Sequence, residues 1–205
     1  MTKSSMSKLD GQTLFAALAE LVGTFFLTLA ALTVAPPTTP YAVALTLLVF
    51  VYTIGSLSGA HLNPAVTAGL VASRRFPLVE GLGYVGAQVA GALLARLVAG
   101  AGLVGELTGG YHAASAGAEF IGFGILMLTV AAATEKKVTK AGSGIAVGGA
   151  LLAGLLLSGG VLNPAVAIAM GLGLSPALWA TLLSGVAFGL LFTLFENARP
   201  PEVEA

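Results

Sequence analysis

The sequence predicts an all-α membrane protein: six membrane-crossing helices and two re-entrant half-helices, arranged as inverted repeats. Three observations carry this. The 205-residue chain is 57% hydrophobic and only 9% charged, with a mean hydropathy of +0.96, whereas a soluble domain carries about 25% charged residues. The stretch Ser58-Gly-Ala-His-Leu-Asn-Pro-Ala-Val66 returns one hundred residues later as Ser158-Gly-Gly-Val-Leu-Asn-Pro-Ala-Val166, with seven of nine positions identical. Eight of the nine basic residues fall on one side of a six-span threading, the positive-inside bias of membrane proteins.

The elements follow in order. The polar start, Met1 to Gln12, leads into an apolar run too long for the core of a signal peptide, so span one is read as retained, from about Thr13 to Val34. Pro36, Pro37 and Pro40 form a short loop, and span two runs from about Tyr41 to Leu57. The first Asn-Pro break opens a short helix, Ala65 to Ala72, because Asn is a strong N-cap and Pro suits the first helical turn. Arg74, Arg75 and Pro77 end it, and span three covers about Leu78 to Val98, with Gly83, Gly86 and Gly91 at helix-packing spacings. A Gly-rich loop over 100–117 leads to span four, near Ala118 to Thr134. The charged loop Glu135 to Lys140 precedes span five, about Gly142 to Leu157. The second break gives a short helix over Ala165 to Leu172, Ser175-Pro176 opens span six, which runs to about Phe195, and a polar tail closes the chain.

The chain thus reads as one channel domain, 1–205, with a first repeat at 13–100 and a second at 115–196. Ala19-Glu20-x-x-Gly23 matches Ala118-Glu119-x-x-Gly122 at an offset of 99, the breaks match at 100, and Gly91 matches Gly189 at 98. Such steady offsets indicate duplication. Three full spans per repeat force the second to enter from the opposite face. Lys3, Lys8, Arg74, Arg75, Lys136, Lys137, Lys140 and Arg199 share one side, Arg96 lies near the other, and both termini are placed in the cytoplasm of a multi-pass protein of the cell (plasma or inner) membrane.

Irregular backbone at membrane depth is tolerated where it lines a water-filled cavity. Two half-helices of about 15 Å, end to end, cover the ~30 Å hydrocarbon core, and their N-termini meet at the midplane as two partial positive charges. Asn63 and Asn163 cap them with amides left free to donate into a lumen, and the extended segments Gly59-Ala60-His61-Leu62 and Gly159-Gly160-Val161-Leu162 line the path with carbonyls. Neutral solutes find donors there, and cations meet positive helix ends.

Two Asn-Pro-Ala loops, Asn63-Pro64-Ala65 and Asn163-Pro164-Ala165, the first within Ser-Gly-Ala-His-Leu-Asn-Pro-Ala-Val-Thr, resemble the aquaporin / major intrinsic protein family, as do the duplicated Ala-Glu-x-x-Gly and Ala87-Gln88-x-x-Gly91. The resemblance covers 13–195. It implies a water pore in each subunit of a homotetramer embedded in the bilayer. The family's outer constriction maps onto Val43, Leu151, Gly160 and Val166, where no aromatic residue stands and Val166 replaces the usual Arg. An apolar filter is expected to be wider, passing small neutral solutes such as glycerol or urea as well as water, with protons still rejected at the midplane and other cations rejected less well. A competing effect is dewetting of an apolar constriction.

Other candidates take less central roles. Glu20, Glu119 and Gln88 are read as braces of the re-entrant loops, the alternative for the carboxylates being proton relays. Gly59, Ala60, His61, Gly159 and Val161 are read as lumen-lining, His112 as a solvated loop residue, and Tyr41, Tyr84, Tyr111 and Trp179 as interfacial anchors. Arg74 and Arg75 are topology determinants first. A water-selective pore, an ion-coupled secondary transporter and a junctional protein remain the alternatives. With no Cys, disulfides, thiolate metal sites and thiol catalysis are excluded. No nucleophile–base pair, metal cluster or cofactor motif appears, and zero net charge implies no nucleic-acid partner.

Overall fold

The computed structural model describes residues 11–107 and 112–198. Lys3, Lys8, Tyr111, Arg199 and the two polar ends lie outside the described residues. Among the described residues there are eight helices and no strand: α1 Gly11–Thr33, α2 Thr39–Ser58, α3 Pro64–Ala72, α4 Leu78–Gly100, α5 Ala116–Thr134, α6 Lys140–Ser158, α7 Pro164–Ala169 and α8 Pro176–Asn197. Six of them, all but α3 and α7, are long and apolar enough to cross a membrane. Large apolar side chains such as Phe15, Leu82 and Leu183 are more than half exposed, as lipid rather than water surrounds the bundle.

The two halves pack alike. Helix α1 lies on α4 as α5 lies on α8, α1 pairs with α2 as α5 pairs with α6, and α3 sits on α8 as α7 sits on α4. Helices α2 and α6 join the halves, and α3 meets α7. Close crossings rest on glycine at particular points. A methyl group at Gly189 would stand 2.7 Å from the Gly69 carbonyl oxygen, and one at Gly91 would run into the Leu21 carbonyl. Gly83 and Gly86, grouped with Gly91 on spacing alone, are exposed and face open space instead.

Both short helices start as the Asn-Pro pairs predict. Asn63 Oδ1 accepts from Ala65 N at 2.9 Å and Asn163 Oδ1 from Ala165 N at 3.0 Å. Their lengths differ from expectation. Helix α3 has nine residues and α7 only six. At 1.5 Å per residue these give about 14 and 9 Å, so the pair falls short of the ~30 Å core. Helix α7 stops early because Gly171 turns left-handed (φ +81°), letting Leu172 N bond Ala167 O at 2.8 Å in a Schellman-type end.

The charged loops at one end of the bundle are tied together. Arg75 Nε meets Glu135 Oε1 at 2.8 Å, its Nη1 donates to Thr193 Oγ1 at 2.7 Å, and its guanidinium stands 5.0 Å from the Phe192 ring centroid. Arg75 is therefore largely covered, a clasp between three segments.

Candidate functional site

The site begins with two buried carboxylates. Glu20 on α1 and Glu119 on α5 are fully buried, and each faces the loop ahead of a half-helix. Glu20 Oε1 accepts from Ser58 Oγ (2.7 Å) and His61 N (2.9 Å), and Oε2 from Leu62 N (2.7 Å) and Gln88 Nε2 (2.8 Å). Glu119 accepts from Val161 N and Leu162 N, both at 2.9 Å, and from Thr181 Oγ1 at 3.3 Å. Two successive amides converging on one carboxylate form a concave nest, which needs residues with left-handed backbone.

That need overturns the expected extended conformation. Gly59, Ala60, Leu62, Gly159 and Leu162 all have φ between +48° and +86°. For Ala60 and the two leucines this conformation is costly, and the carboxylate contacts hold it in place. It also fixes where the carbonyls go. These peptides are trans, so each C=O points opposite its N–H. Ala60 N and Gly160 N donate to Ser58 Oγ and Ser158 Oγ at 3.0 and 2.9 Å, and the next two amides of each loop go to a glutamate. The carbonyls of Gly59, Ala60 and His61, and of Gly159, Gly160 and Val161, therefore face away from the braces.

The two loops meet at the half-helix N-termini. Asn63 Nδ2 donates to Leu162 O at 2.8 Å and Asn163 Nδ2 to Leu62 O at 2.9 Å. The amides are thus not wholly free, as the capping argument alone expects: each spends one hydrogen on the opposite repeat and keeps one.

Two cavities flank this junction. One, of about 460 Å³, is lined by both asparagines, by Gly159, Gly160 and Val161, and by all of Val43, Leu151 and Val166. The other, of about 820 Å³, is lined by Gly59, Ala60, Tyr84, Arg75, Lys136 and Lys140, among others. His61 borders both. Its Nδ1 is 3.1 Å from Thr67 Oγ1, and its ring lies edge-on to Phe76 and Tyr84. His112 is exposed and lines the smaller cavity, as do Pro36 and Pro37. Among the described residues no cluster of acidic, His or Cys side chains could hold a metal ion.

Two placements differ from the sequence reading, and one residue of the site carries no reading there. Tyr84 is buried rather than interfacial, and its hydroxyl donates to Ser58 O at 2.9 Å. Gly160 contributes backbone to the cavity, but a methyl group there would meet the Glu119 carboxylate at 2.9 Å rather than the lumen. Thr67, which joins Gln88 Nε2 (3.0 Å) to the His61 ring, carried no signal beyond following the first Asn-Pro-Ala-Val.

The sequence pattern of the Major intrinsic protein family matches residues 6–172. The chain belongs to the major intrinsic protein family. It is 37% identical over 194 residues to "Aquaporin NIP1-4" of Oryza sativa subsp. japonica, covering 83% of this chain and 71% of that protein. It is 36% identical over 138 residues to "Nodulin-26" of Glycine max, covering 59% of this chain and 49% of that protein. The fold resembles the aquaglyceroporin from Plasmodium falciparum, with a TM-score of 0.69 and 20% identity over 91% of this chain and 96% of that one. As a member of this family the protein is an integral, multi-pass membrane channel for water and small solutes, and not an enzyme.

Proposed function

We propose that the chain is a passive channel for water and small neutral solutes of glycerol or urea size, permeated past Asn63 and Asn163 and through an outer filter of Val43, Leu151, Gly160 and Val166. The observation that carries this reading is the wall of the 460 Å³ cavity: all four filter positions and both asparagines border one space, and among the described residues His61 and His112 are its only ionisable lining. With Val166 in the family's arginine position, neither a fixed charge nor a long side chain narrows the filter. The six amides aimed at Ser58, Ser158, Glu20 and Glu119 leave six carbonyls as a rail of acceptors. The second hydrogens of Asn63 and Asn163 act as donors at the waist. The N-termini of α3 and α7 oppose protons there. We infer further that repeats 13–100 and 115–196 arose by duplication, that the subunit forms a homotetramer, and that Arg74, Arg75 and Lys136 mark the cytoplasmic end, with both termini.

Stopped-flow swelling of proteoliposomes with water, glycerol and urea tests the reading. All three should pass, down their gradients only and without inhibition by mercurials, as there is no Cys. A pore closed to every solute above water sinks the proposal. Val166→Arg should lower glycerol and urea flux relative to water by roughly tenfold, about 1.4 kcal/mol of barrier. An unchanged ratio would remove Val166 from the filter.

A further inference from the structure

We propose that this channel discriminates by the layout of polar groups, favouring solutes with one amide edge on an apolar body, methylated ureas above all, over urea itself. The proposal rests on the preceding one, that the 460 Å³ cavity is on the permeation path.

The cavity is two-faced. Apart from His61, which borders both cavities, the exposed His112, and the Thr39 hydroxyl, which donates to Val34 O, its polar groups form one strip: the carbonyls of Gly159, Gly160 and Val161, turned away from Ser158 and Glu119, and the remaining amide hydrogens of Asn63 and Asn163. No hydrogen bond to those three carbonyls occurs among the described residues. The facing walls come from α1, α2, α5, α6 and α7 and present Leu27, Val43, Leu47, Leu126, Leu151 and Val166. The strip thus offers acceptors beside donors, the complement of a primary amide, whose N–H and C=O lie side by side. These six side chains offer nothing to a polar group.

A solute in this space keeps the hydrogen bonds it makes to the strip and loses those it made to water elsewhere. Urea places one NH₂ group on the strip and strands the other against leucine and valine, and a buried donor without a partner is costly. Glycerol has a hydroxyl on every carbon and strands at least one. A methyl in place of a stranded hydrogen turns the penalty into apolar burial. One buried methyl is worth about 0.8 kcal/mol, or about fourfold in rate if the gain persists at the barrier. Position matters as much as number. In 1,1-dimethylurea both methyls share one nitrogen and the opposite edge stays a primary amide. In 1,3-dimethylurea, its isomer, each edge carries one.

The experiment measures swelling rates for urea, methylurea and the two dimethylurea isomers in proteoliposomes of the full chain, after subtraction of protein-free liposomes. Methylurea should exceed urea by about fourfold, and 1,1-dimethylurea should exceed 1,3-dimethylurea. Val166→Thr, which adds a hydroxyl at constant volume, and Leu151→Asn should each pull the methylurea-to-urea ratio back towards unity. Urea passing as fast as methylurea, or equal rates for the isomers, passage of neither included, overturns the proposal. So does an unchanged ratio in both variants. A channel that passes water and none of the ureas or glycerol fails at the broader reading instead, so the two failures are told apart.

Discussion

The two re-entrant loops share a plan and differ in how firmly they are held. The first has Glu20 with four donors, Tyr84 bonded to Ser58 O, and Gln88 and Thr67 packed behind it, and Ala60, His61 and Leu62 are all buried. The second has Glu119 with three donors, one of them long, while Ser158, Gly160 and Val161 are half-buried and Ser158 Oγ turns back to Gly154 O at 2.8 Å. Its half-helix is three residues shorter. The segment that carries the proposed filter residues Gly160 and Val166 is thus the less encumbered. On the proposed duplication, one copy fixes the waist, and the other is open to change at the proposed filter positions.

The largest test of that difference removes each brace. Glu20→Ala leaves at least two buried loop amides without an acceptor, at about 1–3 kcal/mol each, and Ser58 and Gln88 lose a partner too. Glu119→Ala also strands two amides, but beside a half-buried loop where water from the cavity can replace the carboxylate. The thermal unfolding midpoint in detergent should fall further for Glu20→Ala, and water flux should be lost with it. An equal or greater loss for Glu119→Ala would show that the two loops are held alike.

The difference between the loops was only partly legible beforehand. Span positions follow from apolar runs bounded by Pro and charge, and the observed helices begin and end within about two residues of them, since bilayer thickness leaves little freedom. The pairing of Asn63 with Asn163 required only the repeat and its inversion. Backbone direction was not legible: nothing in Gly-Ala-His-Leu announces left-handed turns at Ala60 and Leu62, because a carboxylate 40 residues away imposes them. Nor could a pattern show that Tyr84 turns inward or that Gly160 borders Glu119, since both depend on how α4 and α5 rotate against the loops. Gly171 was the visible signal for the short α7, as a glycine placed to end a helix.

A middle-sized test concerns Gly160. On the family mapping its small size widens the filter. On the geometry, a methyl group there crowds the Glu119 carboxylate. Gly160→Ala should then lower stability by about 1–3 kcal/mol, as overpacking does, and reduce all fluxes together. Gly149→Ala, where nothing lies within 4 Å, serves as the comparison and should be neutral or stabilising. A stable Gly160→Ala channel with a lower urea-to-water ratio would return the residue to the lumen and make the second brace irrelevant to selectivity.

The smallest effect, opposite in sign, lies behind the first loop. Thr24 and Thr28 continue the Glu20 face of α1 at four-residue steps. Both are fully buried, and both hydroxyls lack a hydrogen-bond partner. At the repeat offset of 99 the second half has Phe123 and Met127, which fill their space with apolar surface. The first half therefore combines the stronger brace with an unsatisfied polar stripe, while the second is weakly braced and well packed. Thr24→Val and Thr28→Val keep shape, change helix propensity little and remove the stranded hydroxyls, so each should raise stability by about 1 kcal/mol, read as a higher unfolding midpoint at unchanged water flux. A lower midpoint would mean that the stripe holds ordered water between α1 and its neighbours, and that the first half is sustained by a polar network reaching well beyond Glu20.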